Sequence, residues 1–90
     1  MSKIKMYVTG YCPYCTMAER LLRAKGVEDA DIVKIRVDLE PKLRVEMMEL
    51  TQRRTVPQIY IDDQHVGGFD DLSALDRAGA LEPLLKGEDG

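Results

Sequence analysis

Lys3-Ile4-Lys5-Met6-Tyr7-Val8-Thr9-Gly10-Tyr11-Cys12-Pro13-Tyr14-Cys15-Thr16-Met17-Ala18 changes its hydrophobic period once, and that change decides the fold. Lys3 to Val8 alternates, with Ile4, Met6 and Val8 on one face and Tyr7 on the other, which predicts a strand. Thr9-Gly10-Tyr11 breaks it. From Pro13 the spacing becomes helical, with Tyr14, Ala18, Leu21 and Leu22 on one stripe and Gly26 placed to end the helix.

Working outward, Asp31 to Val37 sets Val33, Ile35 and Val37 against Lys34 and Arg36, a second strand. Asp38 and Pro41 mark a helix start, because proline is tolerated in the first turn. Leu43, Met47 and Leu50 give that helix its apolar stripe, and Thr51-Gln52-Arg53-Arg54 leaves it. Gln58 to Ile61, a turn at Asp62-Asp63-Gln64 and His65 to Gly67 read as a hairpin, with His65 on its surface. Asp70 is expected to cap a helix carrying Leu72 and Leu75 that ends near Gly79. Leu81, Leu84 and Leu85 predict a last short helix.

The order is β-α-β-α-β-β-α. A helix between the first two strands implies a right-handed parallel crossover, and the hairpin adds an antiparallel edge. The expected architecture is an α/β four-stranded mixed sheet with helices on both faces. Residues 1–86 are expected to form one domain, with 87–90 a frayed tail.

Composition narrows the function. The 90 residues carry a net charge of −3, which disfavours general nucleic-acid binding, since that needs a basic surface. No apolar run approaches the roughly 20 residues that span a bilayer, and the N-terminus lacks a signal-peptide pattern. A reducing cytoplasm is therefore the expected location, and a monomer the plain expectation. Both cysteines lie within four residues. A bridge between them closes too short a loop for stabilisation to explain it.

Redox chemistry explains it better. The thiolate is the attacking species in disulfide exchange. Pro13 as first helical residue puts Cys12 at a helix N-terminus, where unpaired N–H groups and the dipole favour an anion. Such sites hold cysteine pKa values of roughly 3.5–7.5. Cys15, one turn further in, is the resolving thiol. Pro13 stiffens the turn and Tyr14 offers a flat amphipathic surface. Zinc would need four ligands, and His65 is the only nitrogen donor of that kind in the chain, so no metal site is expected.

The second half suggests a binding surface. Thr55-Val56-Pro57 precedes a strand; a cis Val56–Pro57 bond would turn the backbone toward an extended peptide, although base rates favour trans. Gly67-Gly68-Phe69-Asp70-Asp71 is a permissive turn and a helix start. It reads as a plain glycine turn with an aspartate cap, or as a pocket holding a carboxylate on free N–H groups and an ammonium on an aspartate. Arg44, Arg53 and Arg54 are helix-end charges, one of which could meet a second carboxylate. Met47 and Met48 are read as core.

Cys12-Pro13-Tyr14-Cys15, Thr55-Val56-Pro57 and Gly67-Gly68-Phe69-Asp70-Asp71-Leu72, in this order and spacing, resemble the glutaredoxins along essentially the whole chain, specifically the bacterial dithiol type. The resemblance implies a thioredoxin-like fold, a cis Val56–Pro57 bond and glutathione as reducing co-substrate, with no permanently bound cofactor. It implies that Cys12 and Cys15 are catalytic, supported by Pro13, Tyr14 and Pro57. Tyr14, Arg44, Thr55, Val56, Gly68, Phe69, Asp70 and Asp71 would bind glutathione: Val56 by its backbone, Gly68 to Asp71 at the γ-glutamyl head, and Arg44 at the glycine carboxylate. Partners would be disulfide-containing or glutathionylated proteins. Many relatives carry lysine where this chain has Thr9, so the helix terminus, or Arg44 and Arg53, must supply more of the positive potential. Phe69 replaces the commoner tyrosine. A glutathione-assisted iron–sulfur carrier built from two chains is the alternative, against which Pro13, Tyr14 and Cys15 speak. A thioredoxin would carry tryptophan beside the first cysteine, and this chain has none.

Overall fold

Ile4, Met6 and Val8 are buried on one side of strand β1 (Ile4–Val8) and Tyr7 on the other. A strand apolar on both faces has to lie inside its sheet. In the computed structural model of the chain, which describes residues 2–87, it does so. The sheet order is β2-β1-β3-β4. Strand β2 (Ile32–Arg36) runs parallel to β1, with Ile4 opposite Ile32 and Val8 opposite Arg36. Strand β3 (Gln58–Ile61) is antiparallel to β1, and β4 (Gln64–Gly67) pairs antiparallel with β3 through a register shift at Ile59/Tyr60.

Helices cover both faces. Helix α1 (Pro13–Ala24) supplies Ala18 and Leu22, α3 (Phe69–Arg77) Leu72, and α4 (Leu81–Leu85) its two end leucines, to a core with Ile4, Met6 and Ile59. Helix α2 (Pro41–Thr51) covers the other face more thinly, packing Met47 on Tyr7 and Val37. Ser2 ties the start of the chain to the end of α4, its N–H donating to Leu85 O at 2.9 Å. Gly26, at φ 97°, takes the left-handed turn that ends α1. Among the described residues, no helix is long and apolar enough to cross a membrane. Gly87 lies in a turn, and residues 88–90 of the expected tail lie outside the described residues.

Five expectations change. Val33 shares a face with Ile35 but is 54% exposed, because β2 is an edge strand and α2 shelters only its far end. Leu50 is exposed to the same extent, the stripe on α2 being narrower than its spacing suggests. Tyr14 projects outward and Cys15 takes the inward position. Asp70 does not cap α3: Gly68 is the N-cap, and the Asp71 carboxylate reaches back to accept the Gly68 N–H at 2.9 Å. His65, expected on the surface, is half-buried.

Candidate active site

β1 ends at Val8, the loop Thr9–Tyr11 turns the chain, and Cys12 becomes the N-cap of α1. Its extended backbone (φ −150°, ψ 93°) lets the side chain fold over the first turn. There the Cys12 sulfur accepts the Cys15 N–H at 3.1 Å. The two cysteines are joined as a disulfide, with Cα atoms 5.2 Å apart. Cys15 is 6% exposed and packed in the core, whereas Cys12 is only partly covered. Pro13 stands at the first helical position, where no N–H is needed.

Two grooves flank the pair. One, of about 340 Å³, is lined by Tyr14, Arg53, Thr55, Val56, Pro57, Gly68, Phe69, Asp70 and Asp71. Of the residues expected at the glutathione site, Tyr14, Thr55, Val56, Gly68, Phe69, Asp70 and Asp71 thus meet at one place. They arrive from α1, from the loop before β3 and from the start of α3. The Tyr14 and Phe69 rings stand 6.3 Å apart. The Val56–Pro57 bond is cis. Arg44 lies outside this lining; its Nη2 donates to Arg54 O at 3.2 Å, on the loop that leads into the groove.

Arg53, which the resemblance offered with Arg44 as a source of positive potential, is the cation in the groove among the described residues; helix-end spacing alone does not separate it from Arg54. Its Nη1 donates to Asp71 Oδ2 at 2.7 Å. That bond, with the Gly68 N–H, holds the Asp71 carboxyl below the usual carboxylate range. Gly67 beneath them has φ 117°, and a Cβ there would collide with the Asp71 carboxylate. The loop is braced from inside as well. The fully buried Gln58 side chain donates to Thr55 O at 3.0 Å, and its Oε1 meets His65 Nε2 at 2.8 Å.

The second groove, of about 320 Å³, is lined by Thr9, Gly10, Cys12, Cys15, Thr16, Glu19, Lys34 and Arg36, with Val8 at its floor. Its charges are matched: Lys34 Nζ lies 2.7 Å from Glu19 Oε1, and Arg36 is bound to Asp38 through two 2.7 Å contacts. The disulfide therefore lines a groove whose charges are internally paired, and Tyr14, between the two cysteines, lines the other, where Arg53 and Asp71 pair.

The chain matches the family model "Glutaredoxin" over residues 4–66. It is 51% identical over 85 residues to a glutaredoxin of Neisseria meningitidis serogroup A, covering 94% of this chain and 98% of that one. The solution structure of glutaredoxin from Brucella melitensis superimposes with a TM-score of 0.81 at 45% identity, covering 96% and 90% of the two chains. The crystal structure of a buckwheat glutaredoxin–glutathione complex does so with a TM-score of 0.85 at 27% identity, covering 96% and 78%. With a sulfur pair at a helix start, a four-stranded mixed sheet and these likenesses over nearly its full length, the chain belongs to the glutaredoxin family of thiol–disulfide oxidoreductases.

Proposed function

We propose that this glutaredoxin takes its electrons from glutathione and delivers them to protein disulfides and glutathionylated proteins, with Cys12 attacking and Cys15 resolving. The observation that carries the assignment is the Cys15 N–H on the Cys12 sulfur at 3.1 Å. An amide donor and the positive end of α1 favour charge on that sulfur, and Cys12 is the more accessible of the two.

For a protein disulfide, the Cys12 thiolate attacks one target sulfur and the other leaves as a thiolate, which takes a proton. Cys15 loses its proton and attacks the Cys12 sulfur, freeing the reduced target and leaving Cys12–Cys15. A glutathione thiolate then opens that bond at Cys12, and a second one removes the first as glutathione disulfide. Two glutathiones thus supply the two electrons. For a glutathionylated target, Cys12 alone takes up the glutathionyl group, and another glutathione clears it. Sulfurs and protons suffice for every step, with no permanently bound group and no partner copy. A reducing cytoplasm, where glutathione is kept as thiol, suits this cycle.

Glutathione would lie along the 340 Å³ groove. Val56 would pair its backbone with the cysteinyl unit, and Tyr14, Thr55 and Pro57 would flank it. Gly68, Phe69, Asp70 and Asp71 would receive the γ-glutamyl head, with free helix N–H groups for its carboxylate and an aspartate for its ammonium. Arg44 would serve the glycine end through the Arg54 segment that it holds.

Cys15→Ser is expected to retain reduction of a small glutathionyl mixed disulfide and to lose dithiol reduction of a protein disulfide, in assays coupled to glutathione reductase. Cys12→Ser is expected to lose both. Loss of both activities in the Cys15 variant would overturn the division of labour.

A further inference from the structure

Gln58 directly follows the cis Val56–Pro57 bond, and its amide side chain has no solvent exposure. A buried amide is costly unless its hydrogen-bonding groups are used. Here they are used. Nε2 donates back to Thr55 O at 3.0 Å and to Thr55 Oγ1 at 3.3 Å, and Oε1 accepts from His65 Nε2 at 2.8 Å. The consequence lies one bond further on. The Thr55–Val56 peptide is planar and trans, so its carbonyl and its N–H point in opposite directions. With the Thr55 carbonyl turned to the buried amide, the Val56 N–H is turned away from it. That N–H belongs to the segment lining the 340 Å³ groove and has no hydrogen-bond partner among the described residues. His65 completes the arrangement: its N–H anchors Gln58 Oε1, which keeps the amide from swinging off Thr55. The Tyr60 ring, 5.1 Å away between centroids, packs against the imidazole in turn. Neither Gln58 nor His65 lines the groove.

We propose that Gln58 and His65 are positioning residues for the exchange reaction: by holding the Thr55 carbonyl inward they aim the Val56 N–H at the peptide group of an incoming thiol or mixed disulfide. This rests on glutathione occupying the groove. The two side chains touch no substrate and act only through the Thr55–Val56 peptide. Their effect is preorganisation, since a loop that had to be ordered during binding would bind its ligand more weakly. It follows that they favour partners carrying a peptide group next to the sulfur and are indifferent to partners without one. A purely structural role predicts no such distinction, because a loosened loop would disturb Cys12 for every partner alike.

The test uses one cysteine-containing peptide blocked at its sulfur either by glutathione or by 2-mercaptoethanol, which has no peptide group. Reduced protein is mixed with each, and release of the free peptide thiol in a single turnover gives a second-order rate. His65→Phe keeps a ring on Tyr60 and removes the N–H, Gln58→Met keeps the length and removes the amide, and His65→Gln returns an N–H near the place of Nε2. In His65→Phe and in Gln58→Met, the rate with the glutathionyl peptide is expected to fall about tenfold, the size of one hydrogen bond. The rate with the mercaptoethanol peptide should change little, and His65→Gln should recover most of the loss. Urea unfolding should show the variants folded under the assay conditions. An equal fall with both peptides would mean a general loosening of the site and overturns the proposal. So does an unchanged ratio of the two rates, or a His65→Gln protein as impaired as His65→Phe. A parent that makes no distinction between the two peptides would instead sink the glutathione assignment, and this inference with it.

Discussion

The Asp38 carboxylate, beyond the end of β2, accepts the Gly10 N–H at 3.0 Å and so holds the loop that delivers Cys12. Arg36 grips the same carboxylate through Nε and Nη2, both at 2.7 Å. The hydrogen bonds from Arg36, with the Gly10 amide, hold the Asp38 carboxyl far below the usual carboxylate range. The unfolded chain therefore binds this proton before the folded one does. The stabilisation is complete above the unfolded value of about 3.9 and is lost as pH falls below it toward the depressed folded value. Asp38→Asn is expected to lower the urea midpoint at pH 7 and to narrow its gap from the parent as pH falls below about 4.

Reduced protein treated with limiting iodoacetamide is expected to carry the label on Cys12 and almost none on Cys15. The Cys12 sulfur is partly open and receives an amide hydrogen bond, while Cys15 is 6% exposed and packed against the core. Peptide mapping by mass spectrometry reads the ratio. The rate for Cys12 should reach half its plateau below about pH 8.5, the value of a free thiol, because the favoured species is the thiolate. Equal labelling of the two cysteines would contradict the asymmetry.

Leu72 has no solvent exposure and anchors α3, whose first turn forms one wall of the 340 Å³ groove. Leu72→Ala is expected to cost about 2–5 kcal/mol in equilibrium unfolding, the range for a buried leucine truncated to a cavity. The loss of kcat/KM should then be greater with glutathione than with cysteinylglycine, since the wall proposed to receive the γ-glutamyl head moves with α3.

The Gln58 amide fixes the tautomer of His65. Gln58 Nε2 is spent on the Thr55 carbonyl, an acceptor only, so Oε1 faces the imidazole and His65 Nε2 must donate. Nitrogen NMR is expected to show Nε2 protonated and Nδ1 bare at pH 8. Burial first, and Arg53 second, push the His65 pKa down, with Asp71 opposing them. The unfolded state takes up this proton first, so the contribution of neutral His65 is complete above about 6.5 and falls as pH drops below it. His65→Gln should flatten stability between pH 7 and 5.

The element order, the dithiol at a helix start and most of the groove residues were legible in the chain. Local patterns carry them: alternation in Ile4–Val8 covered on both faces, proline at the first position of a helix, glycines before a short acidic helix start. What failed were claims about extent of cover and the cap of α3, expected at Asp70 and found at Gly68. Val33 and Leu50 have the spacing of core residues, but how far a neighbouring helix reaches over them is not a local property.

Sequence by itself determined which sulfur stands at the start of the helix, because a strand, a break and a proline leave Cys12 no other place. Only the tertiary structure decided which arginine enters the groove and which polar side chains brace it. Arg53 and Asp71 lie 18 positions apart, and Gln58 and His65 seven. Such pairs are chosen by sheet register and by the angle at which a helix meets a loop, and those depend on the packing of the whole core.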